Sequence, residues 1–272
     1  MENIKISVII PNWNGEKILE SVIRSCLNQT LSPFEILVCD DGSTDNSKEI
    51  VERINDPRII WIPSLHSGTP AVPRNNGMKA SHGDWIAFCD NDDEWIPTKL
   101  EKQIHLAEKL KCKAICTSAL IRINGTINNN LVSNWKKETI KFSDILKSND
   151  IVCSSVMIHS SLINTIGSFS STINYRSFAD YIYWLRVLTQ TNFAFVKEPL
   201  VIYDDHPETS IRSDKISDEE LRKASFENLI EWMNQSKKSQ YEFLCFKLQI
   251  MIYKIKNKIL LSIKSLIKQL IK

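Results

Sequence analysis

The sequence predicts an α/β protein in which a Rossmann-like, mostly parallel sheet is flanked by helices. In the N-terminal third of the chain, short apolar runs rich in β-branched residues alternate with amphipathic helical patterns. The connections between them are short, which favours parallel strands joined by right-handed crossovers. Polar clusters follow three of the apolar runs, where the carboxyl ends of parallel strands form the usual ligand site of an open α/β sheet.

The first strand–helix–strand unit is clearly marked. A β-branched apolar run over Ile6–Ile10 predicts a short buried strand that stops at Pro11, which has no N–H to donate to a ladder. The residues Asn12–Gly15 predict a loop, and apolar residues at helical spacing predict a helix over Ile18–Leu27. A second apolar run, Phe34–Cys39, predicts the next strand.

Two further strands complete the predicted half-sheet. Arg58–Ile62 predicts the third strand, and Arg74–Ala80 predicts a short helix after a loop rich in Ser, Gly and Pro. The continuous apolar run Trp85–Cys89 predicts a fourth strand that is buried on both faces. The polar residues that follow these strands should meet at one edge of the sheet; they are Asn12, Asp40, Asp41, Asp90, Asn91, Asp92 and Asp93.

The cluster after the fourth strand carries three carboxylates: Asp90, Asp92 and Asp93. Carboxylates packed this closely repel one another, and burying them unpaired is costly. A hard cation would relieve the repulsion, and Mg²⁺ or Mn²⁺ commonly binds through one or two carboxylates plus substrate phosphates. The plain alternative for so short an acidic pattern is a solvated turn. Asp93 could instead cap the helix that follows Pro97.

The composition indicates one large globular domain or two intimate halves. Of 272 residues, 43% are hydrophobic and 24% are charged. The formal net charge is +2, yet residues 241–272 alone carry seven lysines and one Glu, so a basic tail follows a mildly acidic body. That distribution does not predict a nucleic-acid-binding domain. The seven cysteines contain no C-x-x-C pair and are expected to be free thiols.

The sequence lacks the common phosphate-binding loops. No G-x-G-x-x-G follows the first strand and no G-x-x-x-x-G-K-[ST] occurs, which disfavours a dinucleotide-binding Rossmann site and excludes a P-loop. Phosphate charge would have to be met by a metal ion and by Arg74 or Lys79. Carboxylates at the sheet edge could accept hydrogen bonds from a base or a ribose.

Four motifs, in this order and strand context, resemble those of the family 2 glycosyltransferases of the GT-A fold, of the type that builds bacterial surface polysaccharides. They are Ser7–Asn14, Asp40–Asp45, Arg74–Gly77 and Asp90–Asp93. The resemblance covers roughly residues 4–215. It implies a GT-A fold and transfer of a sugar from a nucleotide-diphosphate donor, a UDP-sugar in the first instance, helped by Mn²⁺ or Mg²⁺.

For the donor base, the resemblance implies a pocket near the first two strands. Pro11 and Asn12 would border it, and Asp41 would bind the base. Trp13 stands where an aromatic ring commonly packs on the base, although a place in the core is an equal alternative. Asp45 is expected to start the following helix and not to bind a ligand.

For the diphosphate and the metal, the resemblance implies a second group. Arg74 would lie near the diphosphate, and Asp92 would hold the metal. Asp90 would lie on the ribose or metal side, with Asn91 between the two carboxylates at the donor. His206, three residues after a Tyr as in the family, would contact the diphosphate or the metal, unless it is a solvated loop histidine.

The second half of the chain alternates helices and strands less regularly. The pattern predicts a helix over 98–111, a buried strand over Cys112–Ile123, an exposed turn or loop over 124–130, and a strand over Val152–His159. A helix over Ser161–Ile166 is expected to stop at Gly167. We expect a nucleotide-sugar-binding half over 1–98, an acceptor-binding half over 99–215, and C-terminal helices over 216–272.

Asp180 opens an apolar, aromatic-rich helical pattern. The positive end of a helix keeps a carboxylate ionised, and an ionised carboxylate within reach of a hydroxyl can act as general base. In the family this segment reads Glu-Asp and the Asp is the base of inverting members, so the resemblance implies that role for Asp180. Ala179 replaces the Glu here. The alternative is a simple helix N-cap.

The tail predicts a C-terminal helical extension. Apolar residues recur at helical spacing among lysines, as in helices that lie at an anionic membrane surface; they include Leu244, Leu248, Met251, Ile252, Ile255, Ile259, Ile263, Leu266 and Leu270. Docking on the body or on a second subunit is the alternative. Met1–Lys5 lacks the apolar segment of a signal peptide, and no uninterrupted apolar run of about 18 residues occurs.

The sequence therefore predicts a cytoplasmic enzyme peripheral to the inner face of the inner membrane. It is expected to be an inverting, metal-assisted glycosyltransferase that transfers a sugar to a glycan or lipid-linked oligosaccharide hydroxyl, with Asp180 as base. One alternative is transfer to a polyprenyl phosphate, which is already anionic and needs no base. Another is a non-catalytic nucleotide-sugar-binding scaffold.

Overall fold

The computed structural model describes residues 4–205, 217–236 and 243–270. Among them are ten strands: β1 (Ile6–Asn12), β2 (Glu35–Asp40), β3 (Ile59–Pro63), β4 (Trp85–Phe88), β5 (Glu94–Trp95), β6 (Ala114–Ile123), β7 (Thr126–Leu131), β8 (Thr139–Ile140), β9 (Met157–His159) and β10 (Phe193–Asp204). The α-helices are α1 (Leu19–Leu27), α2 (Ser47–Ile54), α3 (Ala71–Ala80), α4 (Lys99–Leu110), α5 (Ile163–Ile166), α6 (Ala179–Leu188), α7 (Asp218–Gln235) and α8 (Leu244–Leu270).

All ten strands belong to one mixed sheet with the order β3-β2-β1-β4-β9-β6-β10-β5, to which β7 and β8 add at β6 and β10. The first four strands are parallel, and β6 pairs in parallel with β10. Strand β9 is antiparallel to both β4 and β6 and joins the two parallel groups. The predicted α/β class with a sheet flanked by helices is confirmed, and the carboxyl ends of β1, β2 and β4 lie at one edge.

Apolar residues fill both faces of the sheet, because its central strands are buried on each side. One layer includes Leu19, Ile23 and Leu100 from α1 and α4, and the other includes the aromatic residues of α6. Tyr183 and Trp184 are completely buried there. This double covering explains why β1, β2 and β4 are almost uninterrupted apolar runs.

Three predicted elements differ in detail from the structure. Strand β1 continues through Pro11 to Asn12, because pairing with β4 ends at Ile9 and the missing N–H of Pro11 interrupts no ladder on that side. The segment predicted as an exposed loop over 124–130 is a hairpin, in which Asn124 and Gly125 take positive φ values and β7 returns along β6. The predicted strand over Val152–His159 begins with a 3₁₀ turn and is extended only in β9.

The C-terminal helices pack on the α6 side of the sheet. Helix α7 begins with a capping box that pairs Ser217 with Glu220. Phe246 of α8 contacts Phe142 at 4.9 Å between ring centroids, and Tyr253 contacts Phe226 of α7 at 5.8 Å. Helix α8 is therefore anchored by one face.

The opposite face of α8 is apolar and exposed. Its exposed apolar residues recur every three or four positions and form what we call the α8 stripe: Leu244, Leu248, Met251, Ile252, Ile255 and Ile259. The side chains of Ile263, Leu266 and Leu270 lie outside what the structure describes. Within the described part of the chain, no helix combines the length and the apolar character that crossing a membrane would need.

Candidate active site

The loops after β1, β2 and β4 are bonded to one another. Asn12, which is buried, donates from Nδ2 to Asp40 Oδ1 at 3.1 Å, and Asn91 Nδ2 donates to Asn12 Oδ1 at 3.2 Å. Gly15 leaves room for this arrangement, since a Cβ there would lie 2.3 Å from Asn12 Oδ1. Asn12 therefore sets the spacing of the three loops at the sheet edge.

The Asp40 carboxylate orders the loop that carries Asp41. Asp40 Oδ2 accepts from the backbone N–H groups of Gly42 and Ser43, at 3.1 and 2.9 Å. Gly42 is needed here because its φ is +76° and a Cβ would lie 2.7 Å from the backbone nitrogen of His66. Asp45 lies next to the start of α2 as expected, one residue before the N-cap Asn46, and its Oδ1 accepts from the Ser47 N–H at 3.1 Å.

Asp41 lies in a small polar pocket that a second loop closes. Its Oδ1 accepts from the N–H and hydroxyl of Ser67, at 3.0 and 2.7 Å, and Oδ2 accepts from the Gly68 N–H at 3.2 Å. His66 Nδ1 lies 3.1 Å from Asp41 Oδ2, and the His66 ring stacks on Trp13 at 4.7 Å. Trp13 is 53% exposed, so the alternative of a core residue is wrong. An exposed aromatic ring beside a carboxylate can stack on a planar heterocycle.

Arg74 of α3 points to the acidic loop. Its Nη2 lies 2.5 Å from Asp90 Oδ1, and its guanidinium lies over the Phe169 ring at 5.7 Å. Burial alone would lower the pKa of Arg74, but the negative charges of Asp90 and, more weakly, Asp180 raise it, so the guanidinium stays charged. Its Nε is buried without a hydrogen-bond partner in the described part of the chain.

The three carboxylates of the acidic loop have different surroundings. Asp90 and Asp92 are half-buried, whereas Asp93 is completely buried. Asp93 Oδ1 accepts from the Asp204 N–H at 2.9 Å, and Oδ2 accepts from the Ser154 hydroxyl. Burial, and then the charges of Asp92 and Asp90, raise the pKa of Asp93 well above its usual value. Asp93 is thus a structural link between the loop and β10.

The prediction that Asp93 caps the following helix is wrong. The N-cap position of α4 is Thr98, which makes no side-chain capping bond. The short strand β5 separates Asp93 from the helix and pairs with β10, and this turns the carboxylate toward β10.

Asp180 lies in the first turn of α6, and the N-cap is Phe178, so the N-cap alternative is wrong. Its Oδ1 accepts from the Tyr181 N–H at 2.7 Å and its Oδ2 from Asn149 Nδ2 at 3.2 Å. The negative charge of Asp180 also raises the pKa of Arg74, although more weakly than that of Asp90. A half-buried carboxylate at a positive helix end is a competent proton acceptor.

Three residues of this site, His66, Ser67 and Ser154, were not predicted from the sequence. His66 and Ser67 shape the Asp41 pocket, and Ser154 bridges the acidic loop, accepting from the Asp90 N–H at 2.9 Å. The Gly and Ser residues of segment 63–73 indicated a loop, and this pattern could have pointed to His66 and Ser67. His206 lies outside the described residues.

The carboxylates present fit a divalent ion only with help from a substrate. Among the described residues, no three His, Cys, Asp or Glu side chains converge to hold a metal. Asp90 and Asp92 are hard oxygen donors of the kind that Mg²⁺ and Mn²⁺ bind together with phosphate oxygens. The donor set is therefore compatible with an ion that a diphosphate completes.

Fold and site together define a GT-A glycosyltransferase: a parallel half-sheet whose strand ends carry a polar aromatic pocket beside an acidic loop. The chain belongs to glycosyltransferase family 2, since the model of that family, described as glycosyl transferase family 2, matches residues 7–167. The resemblance noted from four motifs is thereby confirmed.

Three curated relatives are glycosyltransferases of bacteria. The chain is 33% identical over 196 residues to the UDP-Glc:α-D-GlcNAc-diphosphoundecaprenol β-1,3-glucosyltransferase WfgD of Escherichia coli, covering 72% of this chain and 74% of the relative. It is 32% identical to WfaP of Escherichia coli, which has the same described activity, over 68% and 70% of the two chains. A putative teichuronic acid biosynthesis glycosyltransferase, TuaG of Bacillus subtilis, is 30% identical over 67% and 71%.

Solved structures share the fold. TarS of S. aureus (residues 1–349) in complex with UDP-GlcNAc superposes with a TM-score of 0.70 at 19% identity, over 88% of this chain and 69% of that one. The complex of the same protein with UDP gives a TM-score of 0.66 at 19% identity, over 88% and 68%. At this level of identity the likeness concerns the fold alone.

Proposed function

We propose that this glycosyltransferase transfers a sugar from a UDP-sugar to a hydroxyl of a lipid-linked glycan, with inversion at the anomeric carbon and assistance from Mn²⁺ or Mg²⁺. The observation that carries the proposal is the buried Arg74–Asp90 pair in the acidic loop. It holds a cation that can bind phosphate next to a carboxylate that can bind a metal ion, and Asp180 in the first turn of α6 adds to the negative charge that Arg74 experiences.

The donor would span the two groups of residues at the sheet edge. The base would lie against Trp13, bordered by Pro11 and Asn12, and would bond to Asp41, whose pocket already contains four bond donors or acceptors from the 66–68 loop. Asp90 and Asn91 would face the ribose and diphosphate. His206 is proposed for the diphosphate or the metal from its position in the sequence alone.

Asp92, with Asp90 beside it, would hold the divalent ion. When bound, such an ion neutralises the charge that develops on the departing nucleoside diphosphate. Arg74 contributes to the same end from the protein side, because its buried guanidinium keeps its charge next to the acidic loop.

Asp180 would act as general base. The attacking hydroxyl passes its proton to the Asp180 carboxylate as its oxygen forms the new bond to the anomeric carbon and the bond to the diphosphate breaks. Each carboxylate oxygen carries two lone pairs, so Asp180 can accept the proton while keeping its bonds to Tyr181 and Asn149. The start of α6 favours the ionised form of the base.

Support for inversion and for the acceptor comes from the relatives. WfgD and WfaP are described as β-1,3-glucosyltransferases that use UDP-Glc and GlcNAc-diphosphoundecaprenol. Because the glucose of UDP-Glc is α-linked, a β-linked product corresponds to inversion. We propose the same acceptor class for this chain.

A lipid-linked acceptor requires access to a membrane surface, and we propose the α8 stripe for that contact. Met251, Ile255 and Ile259 are each about half exposed. Lys254, Lys256 and Lys258 flank the stripe, as expected for a helix lying at an anionic bilayer surface. The enzyme would then be peripheral to the cytoplasmic face of the inner membrane.

The test is release of nucleoside diphosphate from a panel of UDP-sugars with a GlcNAc-diphosphate lipid analogue as acceptor. Transfer by the wild type is expected to need Mn²⁺ or Mg²⁺. Asp180→Asn should lower kcat by about 10²- to 10⁴-fold with UDP affinity unchanged. Undiminished transfer by that variant onto a hydroxyl acceptor would refute the base, and Asp180→Asn activity retained only on a polyprenyl phosphate would favour the alternative acceptor.

A further inference from the structure

A cavity of about 690 Å³ lies between α7, α8 and residues 147–148, away from the donor site. Its size is that of a small-molecule pocket. Helix α7 contributes one wall, and residues 253–260 of α8 contribute the other. None of the residues proposed for the transfer reaction lines this cavity.

Five basic residues line the cavity against two acidic ones, Asp218 and Glu219. The basic residues are Lys147, Arg222, Lys223, Lys254 and Lys258. Within the described residues, none of the four lysines forms a salt bridge, so their charge is available to an anion. The apolar side chains that line the same cavity are Phe226, which is buried, Tyr253 and Leu260. A cavity lined by both basic and apolar side chains fits a ligand that carries both phosphate and hydrocarbon.

The segment that lines the cavity also reaches the proposed base. Arg222 Nη1 donates to the Lys147 carbonyl at 3.2 Å. Two residues further on, Asn149 donates to Asp180. Tyr181, next to Asp180, donates its hydroxyl to the Ile145 carbonyl at 2.8 Å. One short stretch, 145–149, therefore separates the cavity from the catalytic carboxylate.

The cavity also borders the α8 stripe. Lys254 and Lys258 lie on the cavity side of α8, one turn apart, and the stripe residues Ile255 and Ile259 directly follow them in sequence. Lys256, on the same helix and exposed, does not line the cavity. A phosphate in the cavity would thus be placed between the membrane-facing stripe and Asp180.

We infer that this cavity binds the diphosphate of the polyprenyl-linked acceptor, with the first prenyl unit against Phe226 and Tyr253 and the sugar directed toward Asp180. The inference rests on the proposed function for the acceptor class. Lys254 and Lys258 contact the diphosphate from α8, while Lys147, Arg222 and Lys223 contact it from the opposite side. These five basic residues would determine the KM for the acceptor and not the affinity for the donor.

The experiment measures binding by calorimetry, independently of turnover. The probe is GlcNAc-diphosphate carrying a short prenyl chain, below its critical micelle concentration, and the comparison ligand is GlcNAc on a neutral alkyl chain. Lys254→Glu and Lys258→Glu are each expected to weaken probe binding about tenfold. Lys256→Glu makes the same change in net charge and should weaken it by less than about twofold.

Several results would overturn the assignment. One is unchanged probe binding in Lys254→Glu and Lys258→Glu. A second is that all three variants weaken probe binding equally. A third is that the wild type binds the neutral ligand as tightly as the probe. Inorganic pyrophosphate binding as tightly as the probe would overturn the lipid component. UDP affinity, expected to stay at the wild-type value, monitors folding and the donor site.

Failure of the proposed function is distinguishable from failure of this inference. A wild type that binds the probe through Lys254 and Lys258 but transfers no sugar would refute the transfer reaction and leave the cavity assignment standing. If the wild type transfers sugar to the soluble short-chain probe and Lys254→Glu does so with the wild-type KM, the cavity assignment is refuted and the transfer reaction stands.

Discussion

The guanidinium of Arg74 lies 2.5 Å from the Asp90 carboxylate and joins α3 to the loop that follows β4. The arginine side chain is 6% exposed and the aspartate 27%. The pair therefore combines two functions. It fixes the backbone of the acidic loop, and it keeps a cation next to the place proposed for the donor diphosphate.

Loss of this pair should affect both stability and turnover. Arg74→Met leaves Asp90 without its buried partner, and we expect unfolding free energy to fall by about 2–4 kcal/mol. Arg74→Lys keeps the charge but loses the planar fork, so it should fold better than Arg74→Met and still transfer sugar poorly. Urea denaturation and steady-state kinetics measure the two effects. Arg74→Met with wild-type stability would show that the pair contributes little.

Much of this site could be predicted from the sequence because strand ends determine it. Apolar runs gave β1, β2 and β4 within one or two residues, and parallel pairing then placed Asn12, Asp41 and Asp90 at one edge. The Arg74–Asp90 distance could not be predicted, because it depends on how α3 packs across the sheet. Trp13 was ambiguous for a related reason: its exposure depends on where the 63–73 loop lies.

Adjacent carboxylates should respond differently to the same substitution. Asp93→Ala leaves the buried Ser154 hydroxyl and Asp204 N–H without their acceptor, and each lost partner costs about 1–3 kcal/mol. Asp92→Ala, at a half-buried position, should lose less stability but abolish metal-stimulated transfer. Thermal unfolding and Mn²⁺ titration of activity separate the two variants. Equal losses of stability would contradict the division of roles.

Gly15 is expected to tolerate no side chain. A Cβ at this position would lie 2.3 Å from Asn12 Oδ1 and 3.0 Å from Asn91 Nδ2, which are the groups that space the loops. Gly15→Ala should cost about 1–3 kcal/mol and weaken UDP binding measured by calorimetry. Gly125→Ala is the control for a loss of stability away from the site: its φ of +77° makes an alanine there strained, although nothing lies within 4 Å of the added Cβ. UDP affinity equal in the two variants would contradict the role of Gly15.

The side chains behind the site were beyond sequence analysis. Lys99 begins α4, and this lysine is completely buried. Its Nζ donates to Gln103 at 3.0 Å and lies 3.7 Å from the centroid of the Trp95 ring. No local sequence pattern predicts that a lysine is buried, because its burial depends on the strands that cover the helix.

Lys99 should make stability depend on pH. Burial lowers the pKa of its ammonium to about 7 in the folded protein, against an ordinary value of 10.5. Between these values the unfolded chain binds a proton that the folded protein lacks, so unfolding free energy rises with pH, and below about pH 7 this contribution is constant. The difference between wild type and Lys99→Met should therefore change by up to about 1.4 kcal/mol per pH unit in that window.

Urea denaturation from pH 7 to 9.5 measures that slope. Lys109→Met is the matched control, since it removes the same group from an exposed place on the same helix, where the side chain is 58% exposed. Titrations of other groups are common to all three proteins and cancel in the differences. A Lys99→Met difference as flat as that of Lys109→Met would show that Lys99 is charged in the folded protein.

The α8 stripe provides the sharpest test of membrane attachment. Ile255→Ser with Ile259→Ser removes two half-exposed apolar side chains from the face opposite α7, so the fold should be unaffected while apolar burial in a bilayer is lost. Flotation with vesicles containing anionic lipid should move the double variant to the soluble fraction, and wild-type flotation should decrease at high salt because lysines flank the stripe. Leu65→Ser, which removes a 92% exposed side chain far from α8, controls for general hydrophobicity. If the double variant floats like Leu65→Ser, the stripe is covered by protein and not by lipid, and the acceptor must reach Asp180 by another route.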